Sequence, residues 1–231
     1  REAALQPLAE ELRTSHGPDV AVIAADLGQP DTPQTLFEAV LSRGLTVDGL
    51  INNAGFSRTT GFLQTEPEAH EAMIRVMLTA PVALSRLFLP GMVERGYGRV
   101  INVASLAGQM PATGGDTLYG PIKSFLIKAS QGLWLETRGT GVHVTALCPG
   151  YTLTEFHDVN GSREQVSSAY PSWMWQTAEH VARVAYDSCE ADRPRVTPGA
   201  MNNVLAALGK LLPDGVALRM VAGHARRLGR I

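Results

Sequence analysis

The chain contains 231 residues, of which 45% are hydrophobic and 18% are charged, and its formal net charge is −2. This composition predicts a globular protein with a sizeable core and excludes disordered and fibrous classes. The charge balance also argues against nucleic acid as a partner, because phosphate binding requires an excess of basic residues.

Cysteine and histidine usage limits the chemistry further. The two cysteines, Cys148 and Cys189, form neither a disulfide framework nor a C-x-x-C motif, so a reducing, cytoplasmic location is expected. The six histidines are scattered without the spacing of a metal site, and we predict no bound metal. Neither a secretory signal nor a firm membrane-spanning run is recognised.

The first elements are a helix and an apolar run. Residues 1–17 carry apolar side chains at helical spacing and predict an amphipathic helix that ends at Gly17. Since this helix starts at the first residue, we expect a further segment to precede it. The run "VAVIAADL" at 20–27 is typical of a strand buried on both faces, and residues 33–44 predict a helix with proline near its first turn.

Strands and helices then alternate. The predicted elements are a strand at 47–55, a helix at 66–95 bent near Pro81 and Pro90, a strand at 98–105, a helix at 119–138 and a strand at 142–150. This order favours an α/β fold, a doubly wound parallel sheet with helices on both faces, Rossmann-like and forming one domain over 1–231. Ligands of such sheets bind at the carboxyl ends of the strands, which here carry Asp26, "NNAG", "AS" and "PG".

The last third of the chain is less regular. Residues 151–176 show no clean period and hold five aromatic side chains, which is typical of a lid or binding loop. These aromatics either line a pocket for an apolar, ring-containing substrate or cap the core of the domain. Residues 194–199 could form an edge strand. The helical tail at 200–231 is basic and amphipathic, and it either packs on its own domain or a partner subunit or lies on a membrane.

The order of the motifs resembles the short-chain dehydrogenase/reductase family along nearly the whole chain. "AADL", "NNAG", a serine ending "VINVAS", Tyr-x-x-x-Lys at Tyr119 and Lys123, and "PG" follow one another at the expected element boundaries. The resemblance implies that Tyr119 is the catalytic acid/base, that Lys123 assists it, and that Ser105 holds the substrate oxygen. Alone, the Tyr–Lys pair would suit a solvated helix face equally well, and Ser105 would suit a turn cap.

The roles implied for Tyr119 and Lys123 agree with their spacing. Residues four apart share one helix face, so the ammonium could stabilise the phenolate and lower the pKa of Tyr119. By the resemblance, the pair also contacts a nicotinamide cofactor, and NADP(H) is preferred over NAD(H) if Arg1 closes an arginine pair at a strand end. The other cofactor-binding residues implied are Asp26, Leu27, Asn53, Ala54, Gly55, Pro149, Gly150, Thr152 and Thr154.

The sequence departs from the family pattern at two points. Met77 stands where the family usually carries an asparagine that links the lysine to solvent through a water, and a thioether is only a weak acceptor. The glycine-rich turn that holds the cofactor's pyrophosphate would precede Arg1. These departures keep open a non-catalytic member of the family, which retains the fold for binding or assembly.

The resemblance implies a reaction class. We expect an NAD(P)-dependent oxidoreductase that interconverts a carbonyl and an alcohol, acts on a small and apolar substrate, and assembles as a homodimer or homotetramer. Sugar-nucleotide epimerases share Tyr-x-x-x-Lys, but they usually add a larger C-terminal domain than the about 80 residues that follow "PG" here.

Overall fold

A four-stranded parallel sheet with helices on both faces forms the centre of the molecule, as the sequence predicts. The computed structural model describes residues 2–17, 19–58, 60–112, 114–159, 161 and 163–227. The strands are β1 (Gly49–Asn52), β2 (Gly98–Val103), β3 (Val142–Leu147), β4 (Thr152–Leu153), β5 (Gln176–Thr177) and β6 (Arg195–Val196). The central sheet has the order β1-β2-β3-β6, and β4 and β5 form a separate parallel pair. The edge strand expected within 194–199 is therefore β6.

Ten helices surround the sheet in the described part of the chain. They are α1 (Glu2–His16), α2 (Thr32–Leu41), α3 (Pro67–Ile74), α4 (Ala80–Arg95), α5 (Tyr119–Glu136), α6 (Phe156–Val159), α7 (Arg163–Ala169), α8 (Ala178–Glu190), α9 (Ala200–Leu211) and α10 (Asp214–Arg227). Short 3-10 turns occupy Phe62–Gln64, Leu106–Gln109 and Ser172–Met174. The amphipathic helix predicted at the start is α1, and Gly17 follows it with a φ of +71°.

The core lies on both faces of the sheet because successive side chains of a strand point in opposite directions. On one face, Val100 and Val144 are fully buried against Met92 of α4, with Trp134 of α5 packed beside them. On the other face, Ile101 and Leu147 pack on α8. Register pairs such as Ile101↔Thr145 align β2 with β3, so their carboxyl ends reach the same edge.

The long helix predicted for 66–95 is interrupted just before Pro81, as expected, whereas α4 continues through Pro90 without a break. A π-helical turn at Arg75–Thr79 joins α3 to α4, and Pro81 stands in the first turn of α4. Proline lacks the N–H that an α-helix would direct at the carbonyl four residues earlier, which is Met77, so the wider turn accommodates it. The whole stretch is long and apolar enough to cross a membrane by length and composition. We interpret it as a core helix because Met73, Met77 and Met92 are buried.

The strand predicted for residues 20–27 is wrong. This segment forms no ladder in the structure, and Val20 and Ile23 instead line a cleft together with Leu8 and Leu12 of α1. An apolar run indicates burial, but it does not indicate whether a neighbouring strand is available for pairing. β1 is the edge of the described sheet next to this region, and its Ile51 is 64% exposed.

The region 151–176 contains more regular structure than its sequence pattern indicates. It holds β4, α6, α7 and a 3-10 turn, and it ends at the first residue of β5. Further along, α9 and α10 form most of the predicted helical tail, and residues 228–231 lie outside the described residues. Arg1, on which the inference about NADP(H) depended, also lies outside them.

Candidate active site

Two chain segments bring Ser105, Tyr119 and Lys123 together at the carboxyl edge of the sheet. Ser105 follows the end of β2, Tyr119 is the first residue of α5, and Lys123 lies one turn further along that helix. The Lys123 ammonium nitrogen is 5.6 Å from the centre of the Tyr119 ring. Spacing along the sequence thus predicts the correct neighbours here.

Lys123 is the most deeply placed of the three, with 4% of its surface exposed. Its ammonium donates a hydrogen bond of 2.7 Å to the backbone carbonyl of Val103, the last residue of β2. Burial disfavours the charged form and lowers the pKa of Lys123 to about 8. The ammonium therefore loses its proton closer to neutral pH than an exposed lysine does.

Tyr119 is half-buried, and its phenol titrates differently from the sequence-based expectation. Burial of the phenol raises the pKa of Tyr119 to about 12, the hydrogen bond with Ser105 acts to lower it, and the nearby Asp116 raises it further. The lowering expected from Lys123 is not found, since the ammonium is directed at the Val103 carbonyl. Tyr119 is thus a protonated donor at neutral pH.

Ser105 caps a turn and lies beside Tyr119. Its hydroxyl accepts a hydrogen bond of 3.1 Å from the Ala107 backbone and caps the following 3-10 turn. The same hydroxyl is close enough to the phenol of Tyr119 to act on its pKa. The serine is therefore held in place by the backbone, with its oxygen next to the one group that can exchange a proton.

The segment after β1 approaches this group closely. A side-chain carbon added to Gly55 would lie 3.1 Å from the Met77 sulfur and 3.6 Å from the Lys123 nitrogen. Met77 itself is fully buried, so an apolar thioether lines the floor beside the ammonium. Asn53, Ala54 and Gly55 are exposed above it. A flat ligand can rest on this backbone, which fits the nicotinamide cofactor implied by the sequence resemblance.

The "PG" segment forms the opposite wall. The carbonyl of Pro149 accepts a hydrogen bond of 2.8 Å from Leu106, which ties this segment to the residue after Ser105. Gly150 faces Asn202 of α9 so closely that an added side-chain carbon would lie 2.5 Å from the asparagine nitrogen. Thr152 donates to the Gly150 carbonyl at 3.1 Å. Thr154 lies just beyond, and its hydroxyl accepts from the Phe156 backbone at 3.3 Å.

Asp26 and Leu27 occupy the turn that precedes α2. The Asp26 carboxylate accepts a hydrogen bond of 2.9 Å from the Gly28 backbone, and the Asp26 carbonyl accepts one of 2.6 Å from the Thr32 hydroxyl. Asp26 thus caps the turn that leads into α2. Asp26 remains exposed, so contact with a cofactor stays a prediction for both residues.

Aromatic side chains of 151–176 cover the site. The rings of Phe156 and Tyr119 lie 6.0 Å apart, centre to centre. A second group surrounds Tyr151, whose ring lies 4.3 Å from that of Tyr170 and 5.4 Å from that of Trp175. The sequence predicted the aromatic segment but not which of its rings contacts Tyr119, because the order of side chains along an irregular segment does not show where each one points.

Two further contributions to the site were missed. The Val103 carbonyl is backbone and has no signature in the sequence. Asp116 raises the pKa of Tyr119 from three residues upstream, and an acidic residue at that spacing from the start of a helix was a usable signal. Among the residues that the structure describes, no three of His, Cys, Asp and Glu gather into a group that could hold a metal ion.

Comparison with known proteins identifies one family along most of the chain. The family model described as short chain dehydrogenase matches residues 1–165. The NADP-dependent 3-hydroxy acid dehydrogenase YdfG of Escherichia coli is 31% identical over 195 residues, covering 80% of this chain and 75% of that protein. Oxidoreductase UcpA of Escherichia coli is 28% identical over 150 residues, covering 65% of this chain and 57% of that protein.

Solved structures agree with these relatives. A structure of 7beta-hydroxysteroid dehydrogenase superimposes with a TM-score of 0.82 at 26% identity, covering 96% of this chain and 84% of the other. A short-chain dehydrogenase from Sphingobium yanoikuyae in complex with NADPH gives a TM-score of 0.75 at 26% identity, covering 91% and 83%.

Proposed function

Because this chain belongs to the short-chain dehydrogenase family, a family of oxidoreductases, we propose that it interconverts a carbonyl compound and an alcohol, with Tyr119 as the acid/base. The observation that carries the proposal is the convergence of Ser105, Tyr119 and Lys123 at one edge of the sheet. A protein retained only for binding would have no need of a half-buried phenol beside both a hydroxyl and a buried ammonium.

In the reduction direction, Tyr119 gives its proton to the substrate oxygen while the carbonyl carbon receives a hydride. The hydroxyl of Ser105 donates to that oxygen as its negative charge develops, which is the usual way of stabilising such a transition state. The bound cofactor supplies the hydride and accepts it in the reverse direction. The Lys123 ammonium lies 5.6 Å from the centre of the phenol ring and is held by the Val103 carbonyl, so it would stabilise the deprotonated tyrosine only if it turned toward the phenol oxygen.

The cofactor we propose is NADP(H). One relative is named as NADP-dependent, and one similar structure contains NADPH. Near the proposed catalytic group, the backbone at 53–55 is exposed, and Gly55 lies close to both Met77 and Lys123. The full set of residues proposed to hold it is Asp26, Leu27, Asn53, Ala54, Gly55, Tyr119, Lys123, Pro149, Gly150, Thr152 and Thr154.

The substrate we propose is a small, apolar, ring-containing ketone or alcohol. Phe156 lies against Tyr119, and the rings of Tyr151, Tyr170 and Trp175 form a second apolar wall next to Gly150. Such walls favour ring-containing molecules with few polar groups. The similarity to a 7beta-hydroxysteroid dehydrogenase supports the same class.

We also propose a cytoplasmic homodimer or homotetramer. Large apolar side chains stand exposed on the two helices that flank β2 in the sequence, namely Val82 and Val93 of α4 with Phe125 and Leu135 of α5. Burying such side chains against a second copy is favourable. Size-exclusion chromatography with light scattering measures the assembly directly.

Replacing Tyr119 with phenylalanine tests the proposed reaction. The variant keeps the ring that contacts Phe156 and loses the hydroxyl that exchanges the proton. We expect turnover of a ketone panel with NADPH to fall by at least about a hundredfold, as for loss of a positioned acid. NADPH affinity, measured by fluorescence titration, should change little. Equal turnover in both proteins would reject the role of Tyr119, and absence of turnover in the wild type would favour the non-catalytic alternative.

A further inference from the structure

We propose that Arg163 is a positioning residue that clasps the two aromatic walls of the lid, residues 151–176, in one arrangement over the substrate site. This rests on the proposed function, because it assigns the clasp to the site where the ketone binds. Arg163 is the first residue of α7, and it contacts three separate segments of the lid. The contacts explain how a segment without a sequence period keeps a defined shape.

The first contact is a two-pronged ion pair. The Arg163 side chain donates to both carboxylate oxygens of Asp158 in α6, at 2.8 and 2.7 Å. A guanidinium matches a carboxylate in this parallel geometry, which fixes direction as well as distance. The same side chain also donates to the backbone carbonyl of Thr154. Arg163 therefore holds both Thr154, two residues before α6, and Asp158 within that helix.

This contact determines where Phe156 lies. Phe156 stands between Thr154 and Asp158, and its backbone N–H is bonded to the Thr154 hydroxyl. With both flanking residues held by one guanidinium, the Phe156 ring has little freedom to leave its place 6.0 Å from the Tyr119 ring. The ion pair thus acts on the reaction through Phe156, without touching Tyr119 itself.

The second contact reaches the other wall. The guanidinium carbon of Arg163 lies 5.5 Å from the centre of the Trp175 ring, within the range of a cation–π interaction. Trp175 packs on Tyr151, which directly follows Gly150. One side chain thereby joins the Phe156 wall to the Tyr151–Trp175 wall. Arg163 thus sets the distance between the two walls.

A role in the general stability of the fold explains the contacts of Arg163 less well than a role in positioning the lid does. The side chains of Arg163 and Asp158 are 30% and 52% exposed, and ion pairs this accessible add little to the stability of a fold. The chain contains a close match far from the site, in which Arg95 donates to the Asp48 carboxylate at 3.0 Å and to the Val47 carbonyl at 2.8 Å. That pair stands before the start of β1, at the opposite end of the sheet.

The test compares Arg163→Ala and Arg163→Lys with the matched control Arg95→Ala. Kinetics are measured with NADPH and two ketones, one a bulky ring ketone that reaches the lid and one a small acyclic ketone that does not. For Arg163→Ala we expect KM of the ring ketone to rise about tenfold, since small errors of placement carry effects of this order. The small ketone should be affected far less. In Arg163→Lys the side chain keeps its charge but cannot donate two parallel hydrogen bonds to Asp158, so KM of the ring ketone should lie between those of the wild type and Arg163→Ala.

Three results would overturn the proposal: unchanged KM of the ring ketone in Arg163→Ala, equal losses with both ketones, or the same change in Arg95→Ala. Thermal unfolding identifies a variant that fails to fold, and Asp158→Asn then replaces it in the same comparison. Amide hydrogen exchange of residues 154–158 adds a readout without substrate, and it should be faster in Arg163→Ala. If the wild type reduces no ketone, the proposed function fails, while the exchange rates still decide whether Arg163 holds the lid.

Discussion

The buried ammonium of Lys123 gives the folded chain a pH dependence that can be measured without substrate. Its pKa falls from 10.5 to about 8, chiefly because burial disfavours the charge. At neutral pH the folded chain therefore carries a charge that the unfolded chain would hold more favourably in water. Replacing Lys123 with methionine removes that charge and leaves a side chain of similar length in an apolar site.

The size of the expected change in the free energy of unfolding follows from the pKa shift of Lys123. A fall from 10.5 to about 8 corresponds to about 3 kcal/mol of disfavoured charge, at about 1.4 kcal/mol per pKa unit. Below pH 8 Lys123 is protonated in both the folded and the unfolded chain, so the full cost of burying its charge lowers the stability of the fold. Between pH 8 and 10.5 the unfolded state binds more protons than the folded state, so wild-type stability rises with pH. From about pH 7 to about pH 9.5 the gain relative to the variant is about 2 kcal/mol.

Urea unfolding followed by circular dichroism at several pH values measures this difference. The other titrating groups are shared by both proteins and cancel in the comparison, and the phenol of Tyr119 titrates above the range used. Lys128→Met, which removes an exposed lysine from the same helix, controls for the loss of a lysine as such. The advantage of Lys123→Met should shrink by about 2 kcal/mol as pH rises. A difference that stays constant across this range would refute the reasoning.

Two further predictions concern the hydroxyls of Ser105 and Ser130. Ser105→Ala should lower kcat by about a hundredfold or more, because the variant loses one donor to the developing oxyanion. Steady-state kinetics with NADPH measure kcat, and an unchanged value would show that Ser105 only caps its turn. Ser130→Ala should destabilise the fold by about 1–3 kcal/mol, because the buried Asn102 amide that now donates to Ser130 at 2.8 Å would lose its acceptor. Urea unfolding checks this value, and an unchanged midpoint would show that another group replaces the serine.

The sequence predicted strands correctly where an apolar run lies beside another strand with which it can pair. The runs at 98–105 and 142–150 became β2 and β3, which pair along six residues each. The run at 20–27 is more apolar than either of these and forms no strand, since pairing depends on a partner elsewhere in the chain. None of its residues is buried, so apolar content alone predicted neither burial nor strand formation there, and tertiary structure determined both.

The sequence predicted which side chains of the proposed site are neighbours, but it did not predict their electrostatics. Ser105, Tyr119 and Lys123 lie close together, as the order of the motifs indicates. The direction of the pKa shift at Tyr119 was wrong, because the depth of burial and the Val103 carbonyl that holds Lys123 cannot be read from the spacing of the pair. Arg163 escaped notice for a related reason. Its partners lie at irregular intervals, between 5 and 12 residues away, in a segment without a period.

The pKa shifts of Tyr119 and Lys123 determine which protonation states the proposed reaction starts from. With a pKa of about 12, Tyr119 holds its proton at neutral pH and is ready to donate it to a carbonyl oxygen. Alcohol oxidation needs the deprotonated phenol, which forms only if some other charge offsets the burial of Tyr119. Lys123 is the nearby candidate, yet its own pKa of about 8 means that it loses its charge as the solution becomes alkaline enough to help. In the folded chain by itself, Tyr119 therefore stays protonated at neutral pH, and its ionisation requires a positive charge to be brought closer to the phenol.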